Sequence, residues 1–352
     1  MNNNKRIMLY EEIIKFRDTW MGLAIVWIVF FHSGLKIPVV QFVKASGYGG
    51  VDIFIFASGI GCFCSLSNNS NCLDFMIRRA KKLLPTYYVF MLFWIIYKRI
   101  SIGITFQRIL ANVFCDGWFL QLGHQFNWYI DGIWLLYFLA PYLFLIVKND
   151  NSIKKHIIIG GILMLFSVTF WKTHLLMLIS RIPLFYLGMH FANTALKNEA
   201  IEKKDKNLMI TAMITGMIGL LISFLFFEEY LDSYGLLWYP FILIVPGLCF
   251  IISFILSEIL TRWPKSKLIA ILRLMGKYTF EVYLVHILLF DIFKKLIETE
   301  RIRENNAIWF VVIIMIIPTT ILLVFVTGMV RKKIMLLKEI MTKGEKGEKQ
   351  SD

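Results

Sequence analysis

Between Ala307 and Val330 the chain runs for 24 residues without a charged side chain. As a helix that run rises about 36 Å, more than the ~30 Å hydrocarbon core of a bilayer. In lipid no water is present to satisfy backbone N–H and C=O groups, so such a run is held to a helix that satisfies them internally. It is the last of ten apolar blocks, at 19–36, 48–67, 83–100, 127–147, 155–171, 174–193, 207–227, 235–258, 269–293 and 307–329. Composition agrees: 58% of residues are hydrophobic and 18% charged, against about 45–50% and 25% in soluble domains. An ordinary water-soluble globule is excluded. The expected fold is all-α, a polytopic integral membrane helix bundle of about ten transmembrane helices.

The net charge of +14 would suggest nucleic acid as partner in a soluble chain. Here the basic residues sit in the gaps between apolar blocks, so topology accounts for them. The bilayer is the expected partner and nucleic acid is not. With the N-terminus inside, 27 Lys and Arg fall on the inner side and 10 on the outer side, a positive-inside signal that predicts an N-in and C-in protein. The expected organisation is a cytoplasmic N-terminus at 1–18, a transmembrane domain at 19–330 and a basic cytoplasmic tail at 331–352 that meets anionic headgroups. The first block lacks a small-residue cleavage site and reads as a span rather than a signal peptide. The five cysteines show no zinc or disulfide spacing. They read as small apolar fillers, and no metal site is expected.

Ionisable residues inside spans are costly and mark function by default. They are His32 in span one, Asp52 in span two, Asp131 in span four, Arg181 in span six, and Glu281 and His286 in span nine. The alternating chain direction places His32, Asp52, Asp131 and Arg181 at similar depth toward the outer face, with His286 nearer the midplane. Each has a plain alternative: packing histidines, a structural Asp52–Arg181 ion pair, a solvated Asp131. These residues alone do not separate an enzyme from a transporter.

The text His32-Ser33, followed by Gly49-Gly50-Val51-Asp52-Ile53-Phe54-Ile55-Phe56-Ala57-Ser58-Gly59, is the most specific in the chain. It resembles the opening of the acyltransferase-3 family of membrane O-acyltransferases. Further matches follow in family order. They are Arg78-Arg79-Ala80-Lys81-Lys82-Leu83-Leu84-Pro85, Asn127-Trp128-Tyr129-Ile130, Arg181-Ile182-Pro183-Leu184-Phe185-Tyr186-Leu187-Gly188, and Gly276 through Tyr283-Leu284-Val285-His286. One departure stands out. Many members carry Arg eleven residues before the span-one histidine, where this chain has Met21; Arg17 lies one turn earlier on the same helix face.

The resemblance implies transfer of an acyl group, with acetyl from acetyl-CoA as the default, to a hydroxyl of a carbohydrate or lipid-linked glycan of the cell envelope. It implies no bound cofactor, acyl-CoA as donor substrate, and a multi-pass place in a bacterial cytoplasmic membrane. His32 is the expected catalytic base, because an imidazole titrates near neutrality. Asp52 is the expected carboxylate orienting its second nitrogen. Asn127, Trp128, Arg181 and His286 are expected to meet the acceptor or the oxyanion. Arg17, Arg78, Arg79 and Lys82 are expected to hold the CoA phosphates. The donor arm is expected to reach His32 through a channel open to the cytoplasm. A secondary transporter or flippase of a sugar or lipid-linked substrate is the alternative, and a non-catalytic scaffold a third.

Overall fold

In the computed structural model the described residues are 9–101, 103–115, 117–121, 128–149, 152–197 and 199–348, with side chains in the last helix described to Leu336. Among them the protein is helical throughout, with no strand. A short α1 (Tyr10–Ile14) leads into α2 (Arg17–His32), which Ser33 ends in extended backbone. A loop with the short α3 (Gln41–Ala45) leads to α4 (Gly49–Asn68), then α5 (Cys72–Ser101), α6 (Phe106–Val113) and α7 (Trp128–Val147). Next come α8 (Ile153–Val168), α9 (Leu176–Ile179), α10 (Ile182–Leu196), α11 (Lys203–Phe226) and α12 (Tyr239–Arg262). The chain closes with α13 (Lys267–Lys277), α14 (Thr279–Glu298) and α15 (Asn306–Glu348).

Five segments among the described residues are long and apolar enough to cross a membrane: Pro38–Asn68, Trp128–Val147, Lys203–Phe226, Tyr239–Arg262 and Asn306–Leu336. The other expected spans coincide with helices that are short, charged or interrupted. Helices α2 and α8 have 16 residues each. The sixth span is divided at Ser180–Arg181, where Pro183 lacks the N–H that would continue the helix backward. The ninth is divided at Tyr278: α13 lies against the start of α2, and only α14 runs on into the bundle.

Two glycine pairs set the core. A Cβ on Gly59 would collide with the Phe185 carbonyl, and one on Gly188 with the Phe56 carbonyl, so α4 and α10 pack backbone to backbone. Gly22 and Gly276 do the same for α2 and α13, against Leu272 and Asp18. Helix α4 is consequently central, with Ile53, Phe54, Ile55, Phe56 and Ala57 all buried around it. By contrast α11 and α15 present rows of exposed Ile, Leu and Phe, as lipid-facing helices do.

Candidate active site

The end of α2, the start of α4, the α9–α10 break and the middle of α14 converge on one polar cavity of about 930 Å³. His32, the last residue of α2, lines it. His286, one face of α14, is fully buried behind His32. The His286 Nε2 lies 3.2 Å from His32 Nδ1, and His286 Nδ1 lies 3.0 Å from the Val282 carbonyl oxygen. A carbonyl only accepts, so Nδ1 of His286 carries the proton and its Nε2 holds a lone pair. That lone pair accepts from Nδ1–H of His32. The remaining nitrogen of His32, Nε2, is therefore a lone-pair acceptor. The relay Val282 carbonyl, His286, His32 fixes one neutral tautomer and leaves a base in a histidine that faces the cavity.

Beside it stands a second pair. Arg181, the N-cap of α10, donates from Nε to Asp52 Oδ1 at 2.8 Å and from Nη2 to Asp52 Oδ2 at 3.3 Å, and from Nη1 to the Met177 carbonyl. Both side chains are buried. The guanidinium sits 5.1 Å from the Trp128 ring and 5.3 Å from the Trp238 ring. Asp52, expected to orient His32, thus gives both its oxygens to Arg181. The physical reason is that a carboxylate at 0% exposure needs an opposite charge and full hydrogen bonding to stay ionised. The partner at hydrogen-bond distance from His32 is His286, which had been expected to face the acceptor or the oxyanion.

Trp128 and Arg181 both line the cavity. Asn127 lies outside the described residues. Asp131 is buried and accepts from the Trp118 backbone N–H at 2.7 Å, so it holds a cavity-wall loop in place. Glu281 accepts from the Thr86 hydroxyl at 3.3 Å, away from the cavity.

Sequence reasoning missed several wall residues. Four tryptophans, Trp94, Trp118, Trp128 and Trp238, line the cavity, and only Trp128 had been singled out. Lys98 and Asp291 form an ion pair of 2.6 Å across α5 and α14 at the wall. Their signal was available: each is a charge near the edge of an apolar block, at 83–100 and 269–293. Lys172, His174, Asp232 and Lys294 complete the rim.

The four expected donor cations lie at the opposite end of α2. Arg17 donates from Nε to the Ala57 carbonyl at 3.0 Å, and Arg79 from Nη2 to the Gly61 carbonyl at 2.7 Å. A Cβ on Gly61 would stand 3.1 Å from the Arg17 guanidinium, so both guanidiniums meet at Gly61. Lys82 lies within electrostatic reach of both. Its carbonyl accepts from Arg331 at 2.9 Å. Arg78 turns instead to the end of α4, donating to the carbonyls of Ser65 and Asn69. Arg17 to His32 spans about 22 Å of helix. The expected channel between them is not part of the cavity: none of the four cations lines it, and its walls reach only Ile28, Trp94 and Tyr283 in that direction. Tyr283 contacts Tyr129 at 5.2 Å, and Tyr129 lies within electrostatic reach of Arg17. A tyrosine layer therefore joins the cavity to the arginine level.

A family model described as an acyltransferase domain matches residues 18–327. Searches of curated proteins and of solved structures find no match to the chain.

Proposed function

The chain belongs to the acyltransferase-3 family, and from that premise we propose that it moves an acetyl group from acetyl-CoA to a hydroxyl of a carbohydrate or lipid-linked glycan. In this reading ten helices cross a bacterial cytoplasmic membrane, with both termini in the cytoplasm. The observation that carries it is the His32–His286 pair at the wall of a tryptophan-lined cavity. His32 Nε2 takes the proton of the acceptor hydroxyl as its oxygen attacks the thioester carbonyl. The tetrahedral intermediate collapses, the C–S bond breaks, and His32 returns the proton to the departing CoA thiolate. The products are an acetyl ester and free CoA. His286 acts as the positioning residue: its lone pair holds Nδ1–H of His32 and steadies the imidazolium that forms. Arg181, held beside two indole rings and paired with Asp52, sets the shape of the neighbouring wall.

Four indole side chains favour a sugar. The apolar faces of a pyranose ring stack on aromatic planes while its hydroxyls meet Lys98, Asp291, Lys172 and Asp232. Arg17, Arg79 and Lys82 are the counter-charge for the CoA phosphates. Arg17 serves where relatives have arginine at the Met21 position. The pantetheine arm reaches the cavity by parting Tyr129 from Tyr283. A transporter would use such a cavity without consuming acetyl-CoA. The test is mass spectrometry of envelope glycans and lipids from cells with the protein, without it, and with His32→Ala protein at equal abundance in the membrane. The expected result is loss of one acetyl mass per modified unit in the last two. Unchanged glycans and lipids in all three overturn the proposal.

A further inference from the structure

Helix α8 carries adjacent glycines, Gly160 and Gly161, that, like Gly219 and Gly328, are not spent on helix packing. Small residues in membrane helices let another helix approach closely, as Gly59 and Gly188 do. Among the described residues, no atom beyond the adjoining turns of α8 itself lies within 4 Å of where a Cβ on Gly160 or Gly161 would stand. Gly161 opens on an apolar groove of about 550 Å³, with Ile158, Ile162, Leu165 and Val168 along one side. From Ile158 to Val168 that stripe rises about 15 Å, enough for an extended hydrocarbon chain to lie along it. The inward side of the same helix is closed by His156 and Ser167, both fully buried.

The groove ends against the cavity. Trp171 faces the groove and Lys172 the cavity; Tyr234 faces the groove and Ser233 the cavity. The shared wall is pinned. The Lys172 backbone N–H donates to the Ser233 carbonyl at 2.7 Å, with Lys172 held in the left-handed region at φ 61°. Trp171 Nε1 donates to the Tyr239 hydroxyl at 3.3 Å, and that hydroxyl also pairs with Ser167 at 2.8 Å. The Lys172 ammonium stands at this junction, 5.6 Å from the centre of the Tyr234 ring. An apolar slot in a lipid-facing helix, a cation at its end and a polar cavity beyond match an amphiphile with an anionic linkage.

We propose that the acceptor is lipid-borne, its apolar chain lying in the α8 groove, its anionic linkage at Lys172 and its hydroxyl-bearing headgroup in the His32 cavity. This rests on the acyltransferase reading above and narrows its acceptor class. A second copy of the chain seated on Gly160 and Gly161 would explain the glycines but not the placing of the groove's end beside the cavity. A water-soluble glycan would leave the groove unused.

Gly161→Phe fills the groove from a position where an added Cβ meets open space. Gly219→Phe on α11, equally open and away from the groove, is the control. The full-length protein in liposomes of total lipid from its own host membrane receives radiolabelled acetyl-CoA, and label is counted in the organic and aqueous phases. The unaltered protein and Gly219→Phe place label in the organic phase. Gly161→Phe lowers it by about tenfold or more, with unchanged size by light scattering and unchanged binding of CoA. Lipid label that survives Gly161→Phe overturns the groove assignment, as does label confined to water-soluble glycan in the unaltered protein. A Gly161→Phe variant that converts a dimer to a monomer overturns it in favour of a second copy. No label in either phase from the unaltered protein overturns the acetyl-transfer reading and the groove with it.

Discussion

Helices α4 and α8 are both apolar and both carry glycines, yet they use them in opposite ways. On α4, Gly59 meets the Phe185 carbonyl, and Asp52 is locked by Arg181 from the facing α10. Hardly any freedom remains along that wall, and the cavity chemistry is mounted on it. On α8, Gly160 and Gly161 meet nothing, and the exposed side is a slot. A glycine in a membrane helix either admits a neighbour or leaves a space, and the two are the same letter in the sequence. Reacting groups need to be held to a fraction of an ångström by their supports, whereas a route for a chain needs room. The molecule keeps the two requirements on different helices.

Substitutions at the two helices sharpen this contrast. Gly59→Leu has the largest expected effect: it drives a side chain into the α10 backbone, and no monodisperse protein is recovered by size-exclusion chromatography in detergent. A well-behaved Gly59→Leu protein would mean that α4 and α10 pack more loosely than described. Arg181→Met leaves the Asp52 carboxylate buried without its counter-ion and costs about 3–5 kcal/mol, read as a large fall in thermal midpoint. The double variant Asp52→Leu, Arg181→Met recovers most of that loss, because the uncompensated charge is gone.

His286→Ala spares stability far more but lowers the transfer rate about 10²-fold or more, since His32 loses the acceptor that fixes its tautomer. His286→Gln, whose amide oxygen accepts from Nδ1–H of His32, restores part of that rate with KM unchanged; a purely structural role for His286 would give no such rescue in kcat. The smallest effect belongs to α8. Gly160→Ala changes stability by less than about 1 kcal/mol, and toward greater stability, because alanine favours the helix and the added methyl meets open space.

The helical bundle was legible because lipid leaves so few choices: the span from Ala307 to Val330 can be read from its missing charges alone. The Asp52–Arg181 pair was legible as a possible ion pair from shared depth, and it is one. Depth, however, fixes only one of two coordinates. Which residue faces which depends on how each helix is rotated about its axis, and that is set by packing such as the α2–α13 contact at Gly22 and Gly276. For that reason His286 rather than Asp52 stands against His32. The division of the ninth span at Tyr278 was missed although Arg273, Gly276, Lys277 and Glu281 mark it, because the apolar residues on either side were read as one block. The tryptophan walls were unreadable for another reason: Trp gathers at membrane interfaces in any case, and nothing in the sequence tells a lipid-facing indole from one that lines a cavity.

Acetyl transfer turns on Nε2 of His32 as the base. Its most direct test is transfer of radiolabelled acetyl from acetyl-CoA to envelope acceptor in membrane vesicles, comparing unaltered and His32→Ala protein at matched abundance, with CoA binding measured in parallel. The expected result is CoA binding within about twofold and transfer lowered by about 10²–10⁴-fold. Transfer by His32→Ala within a few-fold of the unaltered protein would contradict it.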